Sequence, residues 1–552
     1  MKKFRWQIII ILVTGLVMGL LLLSEQTGFR LVSPVPTSGG VYNEALIGSL
    51  QRLNPVLDYY NAADRDVDRL IFSSLIRFDD KGLPKADLAK TWGISYDGLT
   101  YNFELRENAK WHDGTPVKAE DVLFTIDLMR DPDSVLPEDI KKIWSDVEVV
   151  VLSDTLLQFK LQEAFTPFID YLDFGILPKH ILGGMTYMEM INSQFNLNPV
   201  GSGPYQFDSL IVENNQIKGV ILSSNPDYYL EPAFINDFVF RYYADASSAY
   251  AAYQEGIVQG ISKVSLEILP QVLNNSDLAL YSAIEPRFSI ILFNLDNSDV
   301  SFLQDANIRK ALLLALDRRG MIDRILCGQG AIADVPVLPN NWAYYHNITR
   351  TDQDVSAAEK MLKEAGYVVG ENSNIRSKDG VKLSFKMIYP DDETHAAIAQ
   401  AIQADWLKVG VNVEIVPLSY DTLILDHLQP LTYEAALIDI DYTNSPDPDP
   451  YPFWDQAEQS GGQNYSQWEN RTISQYLEEA RVLLDTSERA KLYRNFQVVF
   501  ADELPALPLF YPVYNYAVDK SIQGIRLGSW YDTPDRFNNV TQWYILAQKS
   551  SG

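Results

Sequence analysis

Hydrophobic and polar positions alternate most clearly between residues 88 and 127, which predicts strand, turn, strand, loop and helix in that order. The Asp97-Gly98 pair is a strong turn signal because glycine accepts the positive φ that a hairpin turn requires. In residues 100–105, apolar and polar side chains alternate with the period of a half-buried strand. Glu120 and Asp121 then lie in the first turn of a helix, where carboxylates oppose the positive end of the dipole.

The second half of the chain has a different rhythm, in which helical patterns alternate with glycines and short apolar strands. The predicted elements are helices at 308–316, 358–365 and 398–406 and strands at 381–385 and 411–415. Gly366 and Gly410 end the second and third helices. The repetition of helix, glycine and strand indicates a doubly wound α/β domain.

Length and charge limit the possible functions. The 552 residues are enough for two or three domains with proper cores. The formal net charge of −28 argues against nucleic acid, whose phosphates need clustered lysine and arginine. Aromatic residues make up 12% of the chain, which suits either a ring-lined ligand groove or ordinary core packing. Cys327 is the one cysteine, so no intramolecular disulfide forms, and its apolar neighbours predict a buried, inert thiol.

The N-terminus predicts a location outside the cytoplasm. Lys2, Lys3 and Arg5 precede an apolar run at 8–23, and positive-inside logic puts the remaining chain on the outer side. The run is intermediate between a signal peptide core and a full span of about 20 residues. No clear cleavage site or lipidation cysteine follows it, which favours an uncleaved membrane anchor at 1–23 over a removed signal peptide. Residues 24–39 then form a linker.

Several long stretches carry a family resemblance. The segment WGISYDGLTYNFELRENAKWHDGTPVKAEDVLF, the segment NPVGSGPYQF and the segment QAIQADWLKVGVNVEIVPLSYDT resemble the peptide/nickel-type extracytoplasmic solute-binding proteins, solute-binding protein family 5. The resemblance extends from Gly40 to about Trp543. Lys118 stands where this family usually has a serine or threonine as helix N-cap, and we expect Thr115 and Pro116 to start the helix instead.

The resemblance implies an α/β, two-lobed, periplasmic-binding-protein-like fold of type II, with an extra α+β subdomain on the first lobe. The expected bounds are 40–72, 198–292 and 503–552 for the first lobe, 73–197 for the inserted subdomain and 293–502 for the second lobe. The ligand lies between the lobes, and closure buries it. The resemblance further implies a peptide ligand and a permease and an ATPase as separate chains of an ATP-driven importer. We expect a monomer with no cofactor.

The most informative candidate site is the segment LIDIDYTNSPDPDPYPFW at 437–454, which holds four acids in a proline-rich loop followed by aromatics. In peptide-binding members a similar segment carries an aspartate that pairs with the α-ammonium of the ligand. Asp441, followed by Tyr442, is the best match, and Asp447 and Trp454 complete the candidate ligand-binding set in this segment. The match departs from the family at Ile438, where a tryptophan is usual, and in a longer spacing to Asp447.

Other interpretations of the acidic segment stay open at this point. Asp447 and Asp449 could cap turns through their own side chains, as Asp-Pro segments often do. A calcium site is a further alternative, although the acids lack the glycine-centred spacing of a calcium loop. For the carboxylate of a peptide, arginine offers bidentate hydrogen bonds, and Arg287 is the candidate; an ordinary surface arginine is the competing explanation.

Enzymatic motifs are absent from the sequence. It contains no GxSxG elbow, no HExxH helix and no phosphate loop, and the five histidines are scattered. A carboxylate pair could in principle hydrolyse glycosides, and no spacing in sequence can show such a pair, so an extracytoplasmic hydrolase stays the weakest alternative. We therefore expect no catalytic residues and no metal site. Within the resembled family, binding of oligosaccharides or nickel complexes is the alternative to binding of peptides.

Overall fold

Two mixed β-sheets that share one long strand organise the computed structural model, which describes residues 38–371 and 373–546. The predicted anchor at 1–23 and nearly all of the predicted linker lie outside the described residues. Within those residues, no helix is both long and apolar enough to cross a membrane.

The described strands are, in chain order, β1 (Val41–Ile47), β2 (Ile76–Phe78), β3 (Pro84–Ala86), β4 (Ala89–Ile94), β5 (Thr100–Leu105), β6 (Glu148–Val151), β7 (Leu156–Lys160), β8 (Tyr205–Glu213), β9 (Gln216–Ser224), β10 (Asp237–Tyr243), β11 (Gly260–Ile261), β12 (Leu278–Ile284), β13 (Arg287–Phe293), β14 (Gly330–Ile332), β15 (Val368–Val369), β16 (Arg376–Lys378), β17 (Val381–Lys382), β18 (Ser384–Pro390), β19 (Asn412–Leu418), β20 (Ala435–Asp441), β21 (Ala506–Asp519), β22 (Ile522–Gln523) and β23 (Tyr544–Ile545).

The described α-helices are α1 (Ala62–Ile71), α2 (Ala119–Met129), α3 (Glu138–Asp146), α4 (Lys179–Leu182), α5 (Tyr187–Ile191), α6 (Ala246–Gln254), α7 (Leu269–Asn274), α8 (Ala306–Ala315), α9 (Arg318–Ile325), α10 (Val355–Glu364), α11 (Glu393–Lys408), α12 (Tyr420–Thr422), α13 (Tyr451–Trp454), α14 (Arg471–Val482) and α15 (Thr486–Glu503). Short 3₁₀ and π-helical turns complete the set at Thr166–Leu172, Gln194–Leu197, Ser298–Gln304, Leu423–Leu428, Gln456–Gln459, Thr533–Phe537 and Val540–Gln542.

Strand β21 belongs to both sheets. Its C-terminal part pairs with β11 and β12 of the first sheet, which continues through β1, β10, β9 and β8. Its N-terminal part pairs with β13 and β14 of the second sheet, which continues through β20, β18 and β19. The chain also passes from the first sheet to the second between β12 and β13, where the amide of Glu285 donates to the carbonyl of Pro512 at 2.8 Å. The two crossings between the sheets therefore run side by side. The residue bounds of the two lobes remain a prediction.

The second sheet is buried on both faces, as in α/β folds with helices on each side. Along β13, Phe288, Ile290 and Leu292 belong to one apolar core, and Ile291 and Phe293 belong to the core on the opposite face. Strands β18 and β19 pair in parallel, and β18 is also parallel to β20. The predicted helices of this half are present as α8, α10 and α11, and the predicted α/β architecture is confirmed.

Two local predictions in this half are wrong. The strand expected at 381–385 is split, because Val381 and Lys382 pair back onto β16 as β17 and only from Ser384 does the chain join the large sheet. Cys327 is exposed rather than buried, because α9 ends at Ile325 and the cysteine lies in the following turn with a φ of 51°.

The stretch at 88–127 folds as the periodicity predicts, with one correction. Strands β4 and β5 form a hairpin, and Gly98 has a φ of 74° in its turn. The expected helix start at Thr115 and Pro116 is wrong, because α2 begins at Ala119 with Lys118 as N-cap. The Asp121 carboxylate accepts the backbone N–H of Lys118 at 2.8 Å, so the helix needs no serine or threonine at the cap.

His112 joins this stretch to the segment NPVGSGPYQF. Its Nδ1 accepts the N–H of Gly201 at 3.2 Å, and its Nε2 lies 3.1 Å from the carbonyl of Gly203. A Cβ atom on either glycine would lie within 2.4 Å of a backbone carbonyl oxygen at the end of α1. The glycines thus let the chain approach α1, and His112 holds that approach as a neutral ring.

Acid should weaken this contact. Burial lowers the pKa of His112 from 6.5 to about 4, although the Gly203 carbonyl and Asp113 oppose the shift. The unfolded chain therefore binds the extra proton between pH 6.5 and about 4, so the free energy of unfolding falls as the pH falls through that window. The loss from this one group is at most roughly 3.5 kcal/mol at about 1.4 kcal/mol per pKa unit.

We expect His112→Asn to lower stability near neutral pH by about 1–2 kcal/mol, because one buried hydrogen bond is lost. The same variant should flatten the acid-induced loss of stability between pH 6.5 and 4. Denaturant unfolding at a series of pH values measures both effects. His346→Asn, at an exposed histidine, is the matched control and should change neither. An unchanged pH profile in the His112 variant would contradict the neutral-ring assignment.

Candidate functional site

Two adjoining cavities lie beside the second sheet. The main cavity, of about 510 Å³, is bounded by α1 with its flanking loops, by residues 129–175, by the segment 441–453 and by residues 529–538. The side cavity, of about 340 Å³, lies over β20 and is lined by residues of β20, α12 and the segment 453–465. Asp441, Phe453 and Gln463 line both cavities.

Asp441 ends β20 at the wall that the two cavities share. Its carboxylate accepts the N–H of Thr443 at 2.8 Å and the hydroxyl of Thr443 at 2.5 Å. The residue is exposed, and no ion pair of its carboxylate is found among the described residues. A carboxylate has about four acceptor positions, so Asp441 can accept further hydrogen bonds from a ligand.

Arg287 starts β13 directly opposite Asp441 in the antiparallel register of β13 and β20. Its side chain is 47% exposed, and its Nη1 lies 4.0 Å from both Glu285 and Asp439. Arg287 is not among the residues that line either cavity. Arg287 therefore lies next to Asp441 but is not part of the lining of either cavity.

The two aromatic candidates lie at different depths. Tyr442 lines the main cavity, its hydroxyl donates to the carbonyl of Pro336 at 3.3 Å, and burial raises its pKa. Trp454 is 2% exposed, packs edge-to-face on Phe500 at 4.9 Å and lines the side cavity. Its indole N–H has no hydrogen-bond partner in the described part of the chain. Trp454 therefore forms part of the cavity wall, and its indole N–H is a hydrogen-bond donor without an acceptor among the described residues.

Asp447 is committed to contacts inside the protein. Its carboxylate pairs with the Arg489 guanidinium at 2.7 Å and accepts the hydroxyl of Tyr493 at 3.3 Å, with both charged side chains about 5% exposed. Its backbone N–H donates to Asp170 at 2.6 Å. Asp449 accepts the N–H of Tyr451, which fits the hypothesis that these acids cap turns. Asp447 instead holds α15 through its pair with Arg489. Among the described residues, no group of three or more potential ligands is arranged to hold a metal ion.

A polar cluster beside Asp441 was missed by the sequence analysis. Asp439 accepts the hydroxyl of Ser289 and lies 3.7 Å from Nε2 of His395, whose Nδ1 lies 2.6 Å from Asp392. Burial lowers the pKa of His395, but the two carboxylates outweigh burial and raise it overall. Asp439 could have been found, because it precedes Asp441 by two residues on the same strand face. His395 is distant in sequence and gave no signal.

The lining of the main cavity is strongly acidic. Aspartates far outnumber arginines there, and lysine is absent from the lining residues in the described part of the chain. Its charged residues are Asp58, Asp68, Asp79, Asp139, Asp170, Asp173, Asp441, Asp447, Asp449, Asp532 and Asp535 together with Arg65, Arg69, Arg77 and Arg481. Such a cavity favours a cationic ligand group over an anionic one.

The ion pair of Asp447 and Arg489 should be structural, and Asp447→Asn tests this. The substitution leaves a buried guanidinium without its main partner, which typically costs about 3–5 kcal/mol. We expect a cost near the lower end of this range, because Asp170 lies next to the pair. Burial and the charge of Asp447 raise the pKa of Asp170, and the effect of that charge disappears in the variant. Thermal and denaturant unfolding measure the loss. Asp441→Asn, at an exposed position of the same segment, should cost less than about 0.5 kcal/mol. Equal stability of the two variants would contradict the structural role.

Comparison with known proteins agrees with this architecture. Residues 84–464 match the family model described as "Bacterial extracellular solute-binding proteins, family 5 Middle". The chain is 25% identical over 526 residues to the oligopeptide-binding protein AppA of Bacillus subtilis, with 92% of each chain covered. It is 26% identical over 464 residues to the dipeptide-binding protein of Escherichia coli, covering 79% of this chain and 82% of that protein.

Among solved structures, the chain resembles NikZ of Campylobacter jejuni in complex with Ni(L-His). The TM-score is 0.66 and the identity 26%, with 91% of this chain and 99% of that chain covered. The fold is thus the two-lobed α/β fold of these binding proteins, which are not enzymes. The chain belongs to the bacterial extracellular solute-binding proteins of family 5, the extracytoplasmic binding components of importers for peptides and nickel.

Proposed function

We propose that this protein captures peptides and delivers them to the permease of an ATP-driven importer. The observation that carries the proposal is the Asp441 carboxylate, which lies on the wall shared by both cavities and, among the described residues, has only Thr443 as its partner. A free peptide brings an α-ammonium, and a carboxylate in a partly enclosed cavity supplies a charge-assisted hydrogen bond to it. The names of the relatives from Bacillus subtilis and Escherichia coli support a peptide over other solutes.

The rest of the ligand would be held without strong sequence preference. The backbone amides of an extended peptide can pair with protein groups as an added strand does. Tyr59, Tyr171 and Phe453 on the cavity wall offer flat surfaces with few fixed hydrogen bonds. Water molecules between such walls and the side chains of the ligand adapt to different groups. Closure of the lobes would then enclose the peptide.

The strand register limits the role of Arg287. Residues directly opposite each other in an antiparallel pair have Cα atoms about 4.5–5.5 Å apart. An extended peptide spans about 3.3–3.6 Å per residue. Asp441 and Arg287 could therefore bind the ammonium and the carboxylate of a single amino acid, but not the two ends of a longer peptide. For peptides we keep Asp441 for the ammonium and expect Arg287 to hold Asp439 in place.

Asp441→Asn should weaken the binding of free peptides by a factor of roughly 30 or more. The loss of one partner of an enclosed charge pair costs about 2–5 kcal/mol, at about 1.4 kcal/mol per tenfold change. N-acetylated peptides should bind the wild type weakly and lose little on mutation, because they bring no ammonium. Calorimetry with protein stripped of endogenous ligand measures the four affinities.

Asp208→Asn is the matched control, since Asp208 is exposed and lines neither cavity. It should leave all affinities unchanged. Equal losses for free and acetylated peptides in the Asp441 variant would contradict the ammonium contact. Mass spectrometry of the ligand that co-purifies separates peptides from the alternatives, which are oligosaccharides and nickel complexes.

We further propose that residues 1–23 anchor the protein to the cytoplasmic membrane on its outer side. The basic residues followed by an apolar run support this, as does the lack of a clear cleavage site after the run. The mature protein should keep Met1 and stay with the membrane fraction after an alkaline wash. An N-terminus beyond Leu23, with release into the soluble fraction, would contradict the anchor.

A further inference from the structure

Helix α1 carries five charged side chains, and four of them have partners in the described part of the chain. The Asp64 carboxylate accepts the amide of Arg52 at 2.9 Å, and Arg65 pairs with Asp532 at 2.6 Å. Asp66 pairs with Arg536 at 2.7 Å, and Arg69 pairs with Asp173 at 2.9 Å. Asp68 is the fifth.

Asp68 is 3% exposed, and neither oxygen of its carboxylate has a hydrogen-bond donor among the described residues. The backbone amide of Asn54, which lowers the pKa of Asp68, donates to the carbonyl of Arg52 at 3.1 Å. Asp68 is nevertheless one of the residues that line the main cavity. A buried carboxylate without a partner is costly, and it is retained where something else neutralises it.

The neighbour of Asp68 is a second acid. Asp58 is 8% exposed, lines the same cavity and lies within hydrogen-bonding reach of Asp68. Burial raises the pKa of both carboxyl groups, and the charge of Asp58 raises that of Asp68 further. Two such acids share one proton unless a cation replaces it. The other charged groups that face the pair are Asp64, Asp532 and Arg65, and Arg65 is already bound to Asp532.

A metal ion does not suit this pair. Calcium takes six to eight oxygen ligands, whereas no group of three or more potential ligands is arranged for a metal in the described residues. An ammonium or guanidinium needs only one or two carboxylates. Pro55 and Phe72, close to Asp58 and Asp68 in sequence, line the same cavity and offer apolar contacts to an aliphatic stem.

We propose that Asp58 and Asp68 form a second cation subsite, which binds the cationic side chain of a lysine or arginine in the bound peptide. The inference rests on the proposed peptide-binding function and adds a preference to it. The charge of the side chain replaces the shared proton, so binding of a cationic peptide releases a proton from the pair. Asp441 keeps the α-ammonium, and Asp58 and Asp68 determine side-chain specificity.

The test compares tripeptides of alanine that carry one lysine at the first, second or third position with matched peptides that carry norleucine there. Norleucine has a similar stem and no charge. Calorimetry should show that at least one lysine peptide binds tenfold or more tightly than its norleucine match. Its binding enthalpy should vary with the ionisation enthalpy of the buffer, which reports proton release, and the norleucine match should show a smaller variation.

Asp68→Asn and, separately, Asp58→Asn should abolish the lysine advantage and leave the norleucine affinities within about twofold. The retained norleucine affinity shows that each variant is folded, and Asp208→Asn should change nothing. Norleucine peptides that bind with no lysine advantage at any position would overturn the subsite alone. A lysine advantage that survives in both variants would also overturn it. Failure of every peptide to bind would overturn the proposed function and this inference with it.

Discussion

The placement of α1 depends on Arg536, which is fully buried between Glu44 of β1 and Asp66 of α1 at 2.7 Å from each. Tyr516 of β21 donates to the same Glu44 at 2.6 Å. One guanidinium thus joins the first strand, the first helix, the shared strand and the C-terminal segment. A buried guanidinium needs such partners, because without them its desolvation is not compensated. The cluster fixes which face of α1 lies on the main cavity, and Asp68 is on that face.

The same rule separates the acids of the segment at 437–454. Asp447 and Asp449 each have an arginine within 2.9 Å, so the protein itself neutralises them. Within the part of the chain that the structure describes, Asp441 has only Thr443 as a partner, and it remains exposed on the cavity wall. In a cavity with many more aspartates than arginines, the arginines are used for internal pairs. The carboxylates left over are the ones that a cationic ligand group can neutralise.

Local patterns in the sequence predicted the fold well. The Asp97-Gly98 turn, the alternation in β5 and the helices that end before Gly366 and Gly410 depend on neighbours within a few residues. The candidate site was predicted less completely. The Arg489 that neutralises Asp447 is 42 residues away in sequence, and Asp532, which pairs with Arg65 near Asp58, is 467 residues from that arginine. Periodicity reports which face is buried, and it carries no information about which distant charge a buried acid will meet.

Two of the cavity acids that have no ion pair among the described residues, Asp441 and Asp68, lie on different parts of the fold. Asp441 belongs to the second sheet through β20, whereas Asp68 belongs to α1, which is tied to the first sheet. A ligand shifts an equilibrium between open and closed states only through contacts that differ between them. A ligand with one cationic group can neutralise an acid on one side of the cavity in either state. A peptide with an α-ammonium and a cationic side chain can neutralise the acids on both sides only when the two sides of the cavity are close together. The distribution of unpaired acids would therefore couple closure to the chemistry of the ligand.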